Sequence, residues 1–134
     1  THSTYATAWA QTGKNIPCLG TTQADYFHGD VPCTADMTSS QIDGDYEIET
    51  GNVIVETFKG IEPTHVPGVL VKNHGPFTWG KNADEAVYHS VVLEEIAKMD
   101  SITLALNPAA TIRPEIIEKH FMRKHGPNAY YGQK

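Results

Sequence analysis

The 134-residue sequence lacks any run of lysine or arginine, and its 16 acidic residues outnumber its 10 basic ones. The resulting net charge of −6 excludes a surface that follows a phosphate backbone, so nucleic acid is not expected as a partner. No apolar stretch approaches the length that spans a bilayer, and the first residues resemble no signal peptide. We therefore expect no membrane partner and a cytoplasmic location.

Two further absences bear on disulfide formation and on phosphate binding. The chain has two cysteines, Cys18 and Cys33, and no CxxC spacing, which favours free thiols over a structural disulfide. It also lacks a glycine-rich loop leading into a helix, the usual cradle for a phosphate group. No internal repeat is visible, and the length suits one domain.

Capping and stop residues predict four helices, over residues 3–13, 52–59, 82–106 and 114–126. The segment 52–59 is ambiguous, because its β-branched residues also fit a strand. Residues 15–45 are rich in Thr, Gly, Pro and Asp and are predicted to be loop with short extended pieces. The long third helix is predicted to be amphipathic, with an apolar stripe of Val87, Val91, Ile96, Met99 and Ile102.

His74 follows the short apolar run Val69–Val71, which is typical of an interior strand, and Gly75 and Pro76 then turn the chain. A neutral imidazole held at a strand end is a common metal ligand, although a packed structural histidine is the more frequent case. Purely structural roles, at a surface or in a turn, explain the positions of His2, His120 and Asp25 equally well. Spacing alone does not demand a metal site.

Five segments stand in a fixed order along the chain. They are Thr1-His2-Ser3, Gly20-Thr-Thr-Gln-Ala-Asp25-Tyr-Phe27, Glu49-Thr-Gly-Asn-Val-Ile-Val-Glu-Thr-Phe58, Asn73-His-Gly-Pro-Phe-Thr-Trp-Gly-Lys81, and Arg123-Lys-His-Gly126 with Tyr130-Tyr-Gly-Gln133. Together they resemble the class II aldolase/adducin family, in particular its sugar-phosphate epimerases. The resemblance implies an α/β fold, a three-layer α/β/α sandwich with a mostly antiparallel central sheet. Residues 1–134 would form the C-terminal part of a single such domain.

The resemblance also implies a zinc ion, or another divalent metal, held by histidines that include a His-x-His pair. His2 matches the second histidine of that pair, and His74 matches the later zinc ligand. The first histidine would fall immediately before Thr1, and the family's phosphate-binding loops would lie further upstream. We therefore expect a longer protein, and an inactive fragment if this chain stands alone.

The implied reaction is epimerisation of L-ribulose 5-phosphate at C4, giving D-xylulose 5-phosphate through metal-assisted retro-aldol cleavage and re-formation. C4 carries no acidic proton, so simple deprotonation cannot invert it. By resemblance Asp25 and Tyr131 are the acid/base groups, the tyrosine coming from a neighbouring subunit of a homotetramer with sites between subunits. The residues expected to bind the phosphorylated ketopentose are His120, Thr21 and Glu47.

Two alternatives stay open. One is a metal-dependent sugar-phosphate aldolase of the L-fuculose-phosphate type, which releases its fragments instead of recombining them. The other is a non-catalytic, adducin-like interaction module. The segment 21–25 and the tyrosine tail favour the epimerase. The joint presence of His2, His74, Asp25 and Tyr131 argues against a module, because a scaffold does not need that set.

Overall fold

The computed structural model describes residues 1–132, which form a mixed α/β structure. In chain order its elements are α1 (Thr4–Thr12), α2 (Thr21–Ala24), α3 (Ser39–Asp43), α4 (Tyr46–Thr57), β1 (Gly68–Val71), β2 (Gly75–Thr78), α5 (Ala83–Leu106) and α6 (Pro114–His125). The four predicted helices are confirmed, and segment 52–59 is helical as favoured up to Thr57, where α4 ends. Both cysteines are free thiols, as predicted. Within residues 1–132, no helix combines the length and the apolar character that a membrane crossing requires.

The prediction of loop over residues 15–45 is wrong at two short helices, α2 and α3. A sequence signal for α3 was present, because the Thr38 side chain accepts the Gln41 N–H while the Gln41 side chain accepts the Thr38 N–H. This is a capping box. Helix α4 also begins at Tyr46, well before the expected start at Asn52. Acidic residues in its first turn favour that earlier start.

Strands β1 and β2 form an antiparallel hairpin in which Val71 pairs with Gly75. The turn consists of residues 72–74, and its central residue, Asn73, has a φ of 62°, a left-handed conformation that asparagine tolerates. A Cβ on Gly75 would lie 2.9 Å from the Thr1 carbonyl oxygen, so only glycine permits this approach. The Thr1 backbone nitrogen donates to the Pro76 carbonyl oxygen at 3.0 Å. The start of α1 therefore lies against the hairpin.

The core lies between α1, α5 and the hairpin. Helix α5 buries Leu93, Ile96, Ala97 and Asp100, whereas the rest of the predicted apolar stripe, Val87, Val91, Met99 and Ile102, is exposed. The stripe prediction is therefore wrong except at Ile96. Apolar residues occur on several faces of α5, so periodicity alone could not select the face that packs against α1.

Two acidic residues of α5 have specific environments. The Glu94 carboxylate accepts the backbone N–H groups of Tyr5 and Ala6 at 2.8 and 2.9 Å, which satisfies the first turn of α1. Asp100 is only 6% exposed, and its Oδ2 has no hydrogen-bond partner among residues 1–132. Burial, with a smaller contribution from the charge of Asp30, raises the pKa of Asp100 to about 7.

Candidate functional site

Asp25 ends α2, and basic side chains of α6 hold its carboxylate. The Arg123 Nη2 donates to Oδ1 and to Oδ2 at 3.1 Å each, and Arg123 Nε lies 3.3 Å from Oδ1. His120 Nδ1 lies 3.0 Å from Oδ1, and Lys124 Nζ lies 3.8 Å from Oδ2. The Asp25 side chain is 14% exposed, so these charge-assisted contacts act in a partly dehydrated site.

Aromatic packing fixes α6 beside α2. Phe121 is 1% exposed and stacks between His28 and His125, with ring centroids 4.4 and 4.6 Å apart. The His125 ring reaches further, with Nε2 at 2.8 Å from the Asp25 carbonyl oxygen. Asp25 and its α6 partners therefore stand on packed helices, which suits groups that must keep their geometry.

The C-terminal tail folds back onto Arg123. The backbone N–H groups of Tyr130 and Tyr131 donate to the Arg123 carbonyl oxygen at 2.9 and 3.1 Å. The Tyr131 ring covers the guanidinium group, whose Cζ lies 4.1 Å from the ring centroid. Asp25 and Tyr131 of one chain therefore share a single arginine as a neighbour.

A second group lies where α1 begins beside the hairpin turn. The His2 and His74 rings stack with centroids 5.4 Å apart and planes inclined by 16°. His74 Nδ1 is buried and has no hydrogen-bond partner among residues 1–132, so this nitrogen is not committed elsewhere in that part of the chain. Adjacent imidazoles with an uncommitted nitrogen fit part of a site for zinc or a similar divalent ion.

The histidine pair is an incomplete metal site. Within the described part of the chain, no cluster of three or more His, Cys, Asp or Glu side chains is arranged to hold a metal. Zinc sites in proteins use three or four protein ligands. A complete site therefore requires ligands beyond those that residues 1–132 bring together.

The predicted site residues thus fall into two groups, Asp25, His120 and Tyr131 in one, and His2 and His74 in the other. No hydrogen bond, ion pair or ring contact between residues within 1–132 joins one group to the other.

The two remaining predicted residues belong to neither group through their side chains. Thr21 lies one turn before Asp25 on α2, and its carbonyl oxygen accepts the Asp25 N–H at 3.0 Å. Glu47 is exposed in the first turn of α4. Within residues 1–132, the Asp25 carboxylate contacts His120, Arg123 and Lys124 rather than Glu47, and His74 Nδ1 has no hydrogen-bond partner.

Sequence reasoning assigned no role to Arg123, Lys124 or His125, although all three stand in a motif of the resemblance. A signal was available. Residues 120, 123 and 124 are three and four positions apart, so their side chains share one helix face. Three basic groups on one face predict an acidic partner, and Asp25 provides it.

Comparisons with known proteins identify the family of this chain. The family model described as "Class II Aldolase and Adducin N-terminal domain" matches residues 1–101. The chain is 58% identical to the L-ribulose-5-phosphate 4-epimerase UlaF of Salmonella paratyphi C (strain RKS4594) and to that of Salmonella choleraesuis (strain SC-B67). Both alignments cover 100% of this chain and 59% of the relative, so the chain spans about three-fifths of the length of these curated relatives.

The solved structure of an L-fuculose 1-phosphate aldolase superimposes with a TM-score of 0.64 at 19% sequence identity, covering 87% of this chain and 50% of that one. At this identity the likeness supports the fold alone, a mixed α/β fold of the class II aldolase type. The family match and the close relatives extend over most or all of the sequence. The chain therefore belongs to the class II aldolase and adducin family.

Proposed function

We propose that residues 1–134 are the C-terminal part of a single class II aldolase/adducin-like domain in a longer enzyme. That enzyme epimerises L-ribulose 5-phosphate at C4 to give D-xylulose 5-phosphate. The observation that carries the proposal is the shared arginine: a carboxylate, Asp25, and a phenol, Tyr131, are both held on Arg123. The relatives named above, at 58% identity, bear the name of this activity.

Inversion at C4 needs two proton-transfer groups, because the C3–C4 bond must break and re-form. As the bond breaks, one group takes the proton of the C4 hydroxyl, which leaves an aldehyde on one fragment, while the other fragment keeps the electron pair of the C3–C4 bond as an enediolate. After the aldehyde rotates, the other group returns a proton to the oxygen on the opposite face. Asp25, a 14% exposed carboxylate, and Tyr131, a phenol, are the residues that we assign to these two roles.

His2 and His74 are the residues of this chain that would hold zinc or another divalent ion, together with ligands from outside residues 1–132. When bound, such an ion supplies Lewis-acid stabilisation of the negative charge that develops on substrate oxygens. The buried Nδ1 of His74 and its position at the hairpin turn place this ring on rigid backbone. His120, Thr21 and Glu47 are proposed to line the site for the phosphorylated ketopentose.

The separation of the two groups within one chain supports a site built between two copies. The sequence-based expectation assigned only the tyrosine to a neighbouring subunit. Because Asp25 and Tyr131 of one copy share Arg123, we propose instead that both act beside the His2–His74 pair of another copy, as in a cyclic homotetramer. We propose further that the hairpin belongs to a larger, mostly antiparallel sheet in a three-layer α/β/α sandwich. The free thiols of Cys18 and Cys33 support a cytoplasmic location.

The test uses the full-length protein with L-ribulose 5-phosphate as substrate. We expect D-xylulose 5-phosphate as product, and we expect Asp25→Asn to lower kcat roughly a hundred- to ten-thousand-fold. Asp43→Asn, at an exposed position of α3, is the matched control and should leave kcat unchanged. Net release of aldehyde without the C4 epimer would support the aldolase instead. An inactive, metal-free oligomer that His74→Ala leaves unchanged would support the interaction module.

A further inference from the structure

Arg123 makes two chemically different contacts with one planar group. The edge of its guanidinium donates to both oxygens of Asp25 at 3.1 Å, while its face lies against the Tyr131 ring at 4.1 Å. Arginine is the side chain that can donate two bonds in its plane and stack on an aromatic ring above it. A lysine ammonium has the same charge but offers neither the paired in-plane donors nor the flat face.

The Arg123 backbone adds a third contact. Its carbonyl oxygen accepts the N–H groups of both Tyr130 and Tyr131, so the tail is tied to the residue whose side chain holds Asp25. The neighbouring Lys124 makes longer contacts with the same groups, 3.8 Å to Asp25 and 5.6 Å to the Tyr131 ring centroid. Its ammonium instead lies 4.1 Å from the Tyr26 ring centroid. Arg123, rather than Lys124, therefore makes the close contacts with both Asp25 and Tyr131.

We propose that Arg123 is a positioning residue, which fixes the spacing and orientation of Asp25 and Tyr131 as an acid/base pair. This inference rests on the proposed function, because it assigns Asp25 and Tyr131 to proton transfer. Arg123 acts through these two side chains. Its removal should therefore lower the rate of the chemical step and leave substrate affinity largely unchanged.

The test compares Arg123→Ala and Arg123→Lys in the full-length protein. Displacing a catalytic group by about 1 Å can cost a hundred-fold in rate, and we expect both variants to lose about that much kcat with KM changed less than about three-fold. Guanidinium chloride at non-denaturing concentration should restore part of the activity of Arg123→Ala, because the free ion reproduces both the paired donors and the flat face. It should not restore Arg123→Lys, in which the lysine side chain fills the site.

Arg113→Ala is the matched control. Arg113 precedes α6, its side chain is 77% exposed, and it contacts Glu115. This variant should keep wild-type kcat and show no response to guanidinium. Wild-type kcat in Arg123→Lys would overturn the proposal, since it would show that positive charge alone suffices. If Arg123→Ala loses its folded circular dichroism signal, the lysine variant carries the test.

Amide hydrogen exchange separates failure of this inference from failure of the proposed function. Arg123→Ala keeps the carbonyl that accepts the Tyr130 and Tyr131 N–H groups. Faster exchange over residues 126–132 in this variant, but not in Arg113→Ala, would show that the side chain holds the tail. If the wild-type protein lacks epimerase activity, the proposed function fails, and the exchange result still decides the positioning. Unchanged exchange and unchanged kcat in Arg123→Ala would overturn the positioning while the function stands.

Discussion

The buried carboxyl of Asp100 should make stability depend on pH in a way that one substitution removes. Asp100 is 6% exposed, and its Oδ2 has no hydrogen-bond partner within residues 1–132. Burial, with a smaller contribution from Asp30, raises its pKa from 3.8 to about 7. Because the folded pKa lies above the unfolded pKa, the stability associated with Asp100 is fully present below 3.8 and is lost as the pH rises through about 7.

The expected size follows from these two values. Each pH unit between the two pKa values contributes about 1.4 kcal/mol to the difference between folded and unfolded states. From about pH 5 to about pH 8.5, the free energy of unfolding should therefore fall by about 2 to 3 kcal/mol on account of Asp100 alone. Asp100→Asn, which has a similar shape and does not titrate, should lack this component.

Urea unfolding of the full-length protein and of Asp100→Asn at both pH values measures this component. The variant should gain stability relative to the wild type at the higher pH, by the amount given above. Asp43→Asn, at an exposed position, is the matched control and should show no such change. A difference between wild type and Asp100→Asn that is the same at both pH values would refute the reasoning, because it would mean that Asp100 titrates alike in folded and unfolded chains.

Three further predictions concern other positions. His74→Ala should lower the zinc content of the full-length protein, as measured by metal analysis. The control variant His65→Ala, at an exposed position, should leave the zinc content unchanged. Equal zinc content in the two variants would show that His74 is not a zinc ligand. Burial opposes ionisation of Glu94, but the N–H donors of Tyr5 and Ala6, together with smaller contributions from Ser3 and the charge of Lys98, outweigh burial and lower the Glu94 pKa. Glu94→Gln should cost about 1 to 2 kcal/mol of unfolding free energy above the unfolded pKa, and this loss should shrink as the pH falls through the folded pKa. The exposed neighbour variant Glu95→Gln is its control, and equal stabilities at neutral pH would contradict the assignment. Gly75→Ala should cost about 1 to 3 kcal/mol in chemical denaturation because its Cβ would meet the Thr1 carbonyl oxygen, whereas Gly20→Ala enters open space and should cost less than about 1 kcal/mol.

Local sequence signals identified the elements whose ends are chemically marked. Asn82 caps α5 through the Glu85 N–H, Pro114 opens α6, and Gly13 ends α1 in a left-handed conformation. These capping and stop signals involve only three or four consecutive residues, so they can be recognised in the sequence without knowledge of the tertiary fold. For the same reason these signals predict where helices form, but they do not predict which elements pack against each helix.

The candidate site could be predicted from the sequence only in part. Asp25 and Arg123 are 98 positions apart, and no local pattern states that α2 meets α6. The same limit applies to α5, where Leu93 rather than Val91 faces the core, since packing partners decide which of several apolar faces is buried. Resemblance to the family supplied Asp25, His74 and Tyr131 as candidates. The contacts of α6 supplied Arg123.

The three-residue turn of the hairpin affects the direction of the His74 side chain without affecting the pairing of β1 with β2. Because Val71 pairs with Gly75, the length of the segment 72–74 determines the direction in which the His74 imidazole points. Adding one residue there would rotate the ring away from His2, while the β1–β2 ladder and the core beneath it keep their pairing. If His2 and His74 hold a metal ion as proposed, a change in the length of this turn should alter metal affinity with little change in folding free energy. On that proposal, the hairpin turn is a segment in which metal preference could change while the rest of the fold stays the same.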